Sequence, residues 1–230
     1  MMKTTRLFAA ATAIVLAAIS ISSCGDNSGA AASGSRFFGD VPGIYMKMME
    51  KKSEFMERFK RCSSDDEVRK IQAEAEKEEA EFATKIEKAA TALDGKTIEI
   101  ESTPDFNVGS PVTLTFDGFR SKLDMTPQFR LSGDATAAKD YQSESAKGLS
   151  SPSSDISRYE GLTEHIYLDG FDDQGNEVFS SQVAVIPIKG NAVGELCVLT
   201  GTPVQFETLT ISKHNAEGCM KATTLKLLYK

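Results

Sequence analysis

Two histidines, four cysteines and a scatter of serines and acids are the side chains with which this 230-residue chain could do chemistry. Catalysis or metal binding would need them at set spacings. His165 and His214 have no partner at helical metal spacing and no His-Glu-x-x-His occurs, so a metallohydrolase is not expected. His165 falls inside an alternating run and reads as a strand surface residue, while His214 lies in the polar turn 213–218. Cys62, Cys197 and Cys219 contain no Cys-x-x-Cys, and the one histidine near them is His214, five residues before Cys219, which suits no zinc pattern. Gly148-Leu149-Ser150-Ser151-Pro152 matches only the first half of a nucleophile elbow and lacks the strand before and helix after that the elbow needs. Asp169 to Gly175 looks calcium-like, but aligning Gly175 to the loop glycine puts Gly170 and Gln174 at ligand positions, so a turn is the better reading. No phosphate-cradling or dinucleotide glycine motif is present. The expectation is no catalytic residue, no metal site and no cofactor.

Cys24 is set apart by what precedes it. Met1-Met2-Lys3-Thr4-Thr5-Arg6 carries two cations, Leu7 to Ile21 is an apolar run, and Ser22-Ser23 are small. This is the layout of a secretory signal, and an apolar core of about 15 residues is short for a membrane-spanning helix. Ile21-Ser22-Ser23-Cys24 resembles the lipobox of bacterial lipoproteins. The resemblance implies cleavage before Cys24, lipidation of its sulfur and anchoring of the mature chain in the cell envelope. Gly25, not Asp, follows the cysteine, and by the same resemblance the outer membrane is the default destination. Such a compartment permits a disulfide, and Cys197 with Cys219 is the expected pair because both fall in the predicted β-region; buried free thiols are the alternative.

Composition narrows the partners. Removing residues 1–23 takes away Lys3 and Arg6, leaving 24 bases against 33 acids, a net charge of -9. Nucleic acid is therefore not an expected partner, since phosphate binding needs a basic face. The expected partners are the membrane, through the lipid, and an envelope protein or glycan.

The elements that would position these residues follow from periodicity. Residues 24–40 are small and polar apart from Phe37 and Phe38 and read as anchor and tether, with a span of about 20 Å. From Pro42 to about Cys62 the apolar residues recur at helical steps, and Ser64 with Glu67 fits a capping box opening a second helix to about Leu93. Residues 44–62 carry a net charge of +3 and residues 65–93 a net of -4, which favours an antiparallel hairpin over 41–95 with Phe55, Phe59, Phe82 and Ile86 in its core. After Gly95 the period becomes two, with about eight short strands separated by Gly and Pro turns and no helix between them. Pro187 should close its strand or sit at an edge. Ser132 to Gly161 reads as a long polar surface loop.

The predicted class is therefore α+β: a signal peptide at 1–23, an anchor and tether at 24–40, an N-terminal antiparallel helical hairpin at 41–95, and an antiparallel β-sandwich at 96–230 with a loop at 132–161. A β-barrel is the alternative. The expected role is a non-enzymatic binding or structural module. A glycan-binding protein or hydrolase on the sandwich is the alternative, and it would require carboxylates from different strands to converge in a cleft lined by tyrosine. The chain has no Trp, which weakens a flat sugar platform, but Tyr141, Tyr159 and Tyr167 are available.

Overall fold

The helical period is realised as α1 (Val41–Lys60) and α2 (Asp65–Thr91). Pro42 lies in the first turn of α1, where its missing N–H removes no helical bond. Ser64 caps α2 as expected, accepting the Glu67 N–H at 3.3 Å. The Glu67 carboxylate reaches back to Ser63, whose N–H and hydroxyl donate to it at 2.8 and 3.0 Å. Lys52 pairs with Glu79 and Arg58 with Glu74, each at 2.5 Å, so later positions on α1 meet earlier ones on α2 and the hairpin is antiparallel. These ion pairs are half-exposed and worth at most about 1 kcal/mol each, so the apolar seam carries the hairpin. Met48, Phe55 and Ile86 are buried in that seam. Phe59 and Phe82 are only half-buried, because the outer part of a two-helix hairpin has no third layer to cover it.

These coordinates come from a computed structural model that describes residues 34–147, 161–192 and 195–230. The signal segment, Cys24, most of the expected tether and residues 148–160 of the expected loop lie outside the described residues.

The β-region contains β1 (Thr97–Ile98), β2 (Phe106–Val108), β3 (Val112–Phe119), β4 (Pro127–Ser132), β5 (Ala135–Ala137) and β6 (Tyr141–Gln142). Beyond them come the short α3 (Glu144–Lys147), β7 (Leu162–Phe171), β8 (Glu177–Ala192), β9 (Glu195–Val198), β10 (Gln205–Phe206), β11 (Thr208–Thr210), α4 (Ala216–Lys221) and β12 (Thr224–Tyr229). One sheet has the order β1-β3-β4-β11; a second has β12-β7-β8-β9-β6, with β10 also on β8; β2 and β5 form a third pair. Every ladder between these strands is antiparallel, so the fold is mixed α+β. The turn at 172–176 forms as read: the Asp172 carboxylate accepts the Gln174 and Asn176 N–H groups at 3.0 and 2.8 Å, and Gly175 takes φ 82°. Pro187 sits inside β8, between the stretch paired with β10 and the stretch paired with β9, where its lack of an N–H breaks no ladder on that side.

Several expectations are corrected. The tether does not extend to residue 40: Phe37 and Phe38 are buried, and the Phe38 ring lies 6.3 Å from both Phe129 and Phe179, so residues 35–40 belong to the folded domain. The described part of the polar stretch 132–161 is structured, carrying β5, β6 and α3. A helix does interrupt the strands. In α4, Gly218 lies so close to β8 that a Cβ there would collide with the Val178 carbonyl, and Gly170 on β7 likewise leaves room for the Phe179 ring.

The expected disulfide is also absent. Cys219 sits at 0% exposure in α4 beside the Val178 end of β8, whereas Cys197 on β9 pairs with Lys189, eleven residues further along β8. That is roughly 35 Å of strand, against a Cα separation of about 4.4–6.8 Å in a disulfide. Burial pushes the Cys219 thiol well up, so it packs as a small apolar group.

Candidate functional site

Where β6, β7 and β12 approach one another, side chains far apart in the chain converge. Glu164 shares the inward parity of Ile166 and Leu168 on β7 and is 7% exposed. Its carboxylate accepts the Ser145 N–H at 2.7 Å and the Tyr229 hydroxyl at 3.2 Å, and the Tyr229 oxygen in turn accepts the Glu144 N–H at 3.0 Å. The short helix α3 is thus tied to the sheet by one carboxylate and one phenol. Burial alone would raise the Glu164 carboxyl, but Ser145, through its N–H and its side chain, and then the Ser143 and Tyr229 hydroxyls outweigh it and hold the group below the usual glutamate range.

Above this floor lies a cleft of about 230 Å³ lined by Asp105, Lys139, Tyr141, Gln142, Glu144 and Tyr229. The Tyr141 and Tyr229 rings stand 5.0 Å apart at 48°, forming a wedge. The Lys139 ammonium sits 2.5 Å from Asp105. Burial, followed by the nearby charges, pushes the Tyr229 phenol up to about 12 and raises Tyr141 as well. The Tyr141 hydroxyl is buried and has no hydrogen-bond partner among the described residues.

Of the residues singled out from sequence, only Tyr141 lies here. Tyr167 is half-buried on the other face of β7, with Lys230 Nζ 6.0 Å from its ring centroid. Tyr159 and Ser150 lie outside the described residues. His165 is exposed, its Nδ1 2.6 Å from the Gln182 amide, and His214 is exposed in its loop. Among the described residues, no group of three or more His, Cys, Asp or Glu is placed to hold a metal ion, and no helix is long and apolar enough to cross a membrane. Glu164, Tyr229, Asp105 and Lys139 were not picked out from sequence. For Glu164 a signal existed, because its two-residue spacing from Ile166 puts a carboxylate on an apolar face; the other three are brought in by non-local pairing.

A second charged cluster sits on the opposite face of β7. Asp169 is 0% exposed, lies across from Lys226 on β12 and has Lys230 Nζ at 2.7 Å; that ammonium also donates to Glu177 and to the Ser180 hydroxyl at 3.1 Å. Glu177 and Ser180 are exposed, and the arrangement ties β12 across β7 to β8.

No family model matches this chain, and neither a curated protein nor a solved structure is similar to it.

Proposed function

We propose that this protein is a lipoprotein of a bacterial cell envelope, lipidated at Cys24, that binds an envelope component without turning it over. The anchor rests on Ile21-Ser22-Ser23-Cys24, and Gly25 after the cysteine supports the outer membrane as its destination. The observation that carries the binding role is the cleft of Tyr141 and Tyr229 over Glu164. A glycoside hydrolase needs a carboxylic acid kept protonated near neutral pH. Glu164 is driven the other way, so it is not that acid and serves as an anion that positions Tyr229 and α3, while Asp105 and Glu144 in the same tyrosine-lined cleft supply the convergence of carboxylates that the hydrolase alternative requires. The layers are best read as a β-sandwich carrying a helical hairpin: neither large sheet has its first strand paired to its last, which supports a sandwich over a barrel. A glycan ligand is the second reading, favoured by the two tyrosine walls of the cleft. Nucleic acid is disfavoured by the acidic balance of the chain.

The anchor is tested in cells by palmitate labelling and membrane fractionation of wild type and Cys24→Ser, with Tyr141→Leu as a control for the folded domain. Label and membrane retention should be lost in Cys24→Ser and kept in Tyr141→Leu. Label retained by Cys24→Ser refutes the lipoprotein reading.

A further inference from the structure

The charges and rings of the cleft specify a chemistry. We infer that it receives a cationic group of its ligand, an alkylammonium or guanidinium, seated against the faces of Tyr141 and Tyr229. The inference rests on the proposal that this cleft is the binding site.

Three features carry it. First, two phenol rings, 5.0 Å apart at 48°, line the cleft, and the π face of a phenol attracts a cation and disfavours an anion. A neutral sugar would stack on one open aromatic face, whereas both of these rings are half-buried, so a glycan would enter by an ammonium group. Second, acids outnumber bases among the described residues of the lining: Asp105 and Glu144 against Lys139, with the Glu164 carboxylate beneath Tyr229. Burial is the main reason both phenols are raised, and the neighbouring Glu164 carboxylate adds to it. Third, a carboxylate of the lining already holds a cation, since the Lys139 ammonium pairs with Asp105 at 2.5 Å. At about 230 Å³ the space is below the roughly 300–1,000 Å³ of clefts that enclose a whole drug-sized ligand, and suits a single charged head group.

Lys139 makes the inference testable by sign. If the ligand brings a cation, Lys139 competes with it for Asp105, and removing Lys139 strengthens binding. If the ligand is neutral, Lys139→Ala removes a hydrogen-bond donor and weakens it.

The full chain is titrated with N-acetyl-lysinamide, N-acetyl-argininamide and glucosamine, and with N-acetyl-norleucinamide and N-acetylglucosamine as neutral counterparts. Tyrosine emission serves as the signal, since the chain has five Tyr and no Trp. Charged probes should bind at least about tenfold tighter than their neutral counterparts. Lys139→Ala should tighten that binding severalfold, and Asp105→Asn and Tyr141→Leu should each weaken it about tenfold. Preference for the amino-acid amides points to a protein ligand and preference for glucosamine to an aminated glycan; both support the inference. Equal binding of charged and neutral probes, or weaker binding in Lys139→Ala, overturns it. Neutral sugar binding that is lost in Tyr141→Leu overturns the cation assignment and leaves the cleft as the binding site. Charged-probe binding unaffected by Tyr141→Leu overturns both.

Discussion

Glu164→Gln is the sharpest test of the network beneath the cleft, because the substitution changes charge with almost no change of shape. In the wild type one carboxylate accepts the Ser145 N–H at 2.7 Å and the Tyr229 hydroxyl at 3.2 Å. The amide keeps a single oxygen, which can still serve Ser145. Its NH₂ then faces a phenol whose oxygen already accepts the Glu144 N–H, and the Tyr229 hydroxyl loses its acceptor. Bonds to a charged group contribute about 1.5–3 kcal/mol each and ordinary ones about 1, so the two downgraded bonds predict a loss of about 2 kcal/mol. For a chain of this size that lowers Tm by about 4–8 °C. The pH dependence gives a second reading of the same quantity. The folded-state carboxyl titrates below the ordinary glutamate value, so its stabilisation is fully present above about pH 4.3 and is lost as the pH falls through the folded value. Melting followed by circular dichroism should show a constant gap between wild type and Glu164→Gln from pH 5 to 8, closing below pH 4. A gap that persists unchanged at pH 3, or no gap at pH 7, would refute the assignment of Glu164 as an ionised anchor.

The hairpin should respond to truncation according to burial: Ile86→Ala, at a fully buried position, should cost about 2–5 kcal/mol, and Phe82→Ala, at a half-buried one, less than the about 3–5 kcal/mol of a core phenylalanine. Urea midpoints measure both, and a larger loss for Phe82→Ala than for Ile86→Ala would show that the outer hairpin is covered in solution. Lys230→Ala leaves the buried Asp169 carboxylate without its cation and should destabilise by about 3 kcal/mol at pH 7, with most of the loss recovered in the double variant Asp169→Asn, Lys230→Ala. Equal stability of the single variant and wild type would sink that ion pair as a structural tie.

The helical hairpin was legible because its information is local. Met48, Phe55 and Ile86 recur at helical steps, Ser64 caps α2 within three residues, and the opposite charges of the two helices lie in adjacent segments. β12 likewise falls on the expected run, Thr224–Tyr229, because strict alternation leaves its backbone little choice of face. The shorter strands were harder to see. β2, β5 and β6 have three residues or fewer, too short to show a period, and they form because a partner strand supplies the other half of each hydrogen bond. α4 reads as a polar turn until Gly218 is seen pressed against Val178.

By itself the sequence determined an α+β chain with an alternating C-terminal region, a capped helical pair, an acidic balance and a cysteine in a lipobox-like setting at position 24. Each of these properties is carried by composition or by residues within a few positions of one another. Only the tertiary structure decided that Cys197 and Cys219 stand far apart, that Phe37 and Phe38 close the core, and that Tyr141, Glu164 and Tyr229 share one cleft. Those outcomes depend on which strands lie side by side. Such contacts join residues separated by as many as 187 positions, as where the Arg36 guanidinium donates to the Thr223 carbonyl, and alternation along one strand sets the face of a side chain but not its neighbour across the sheet.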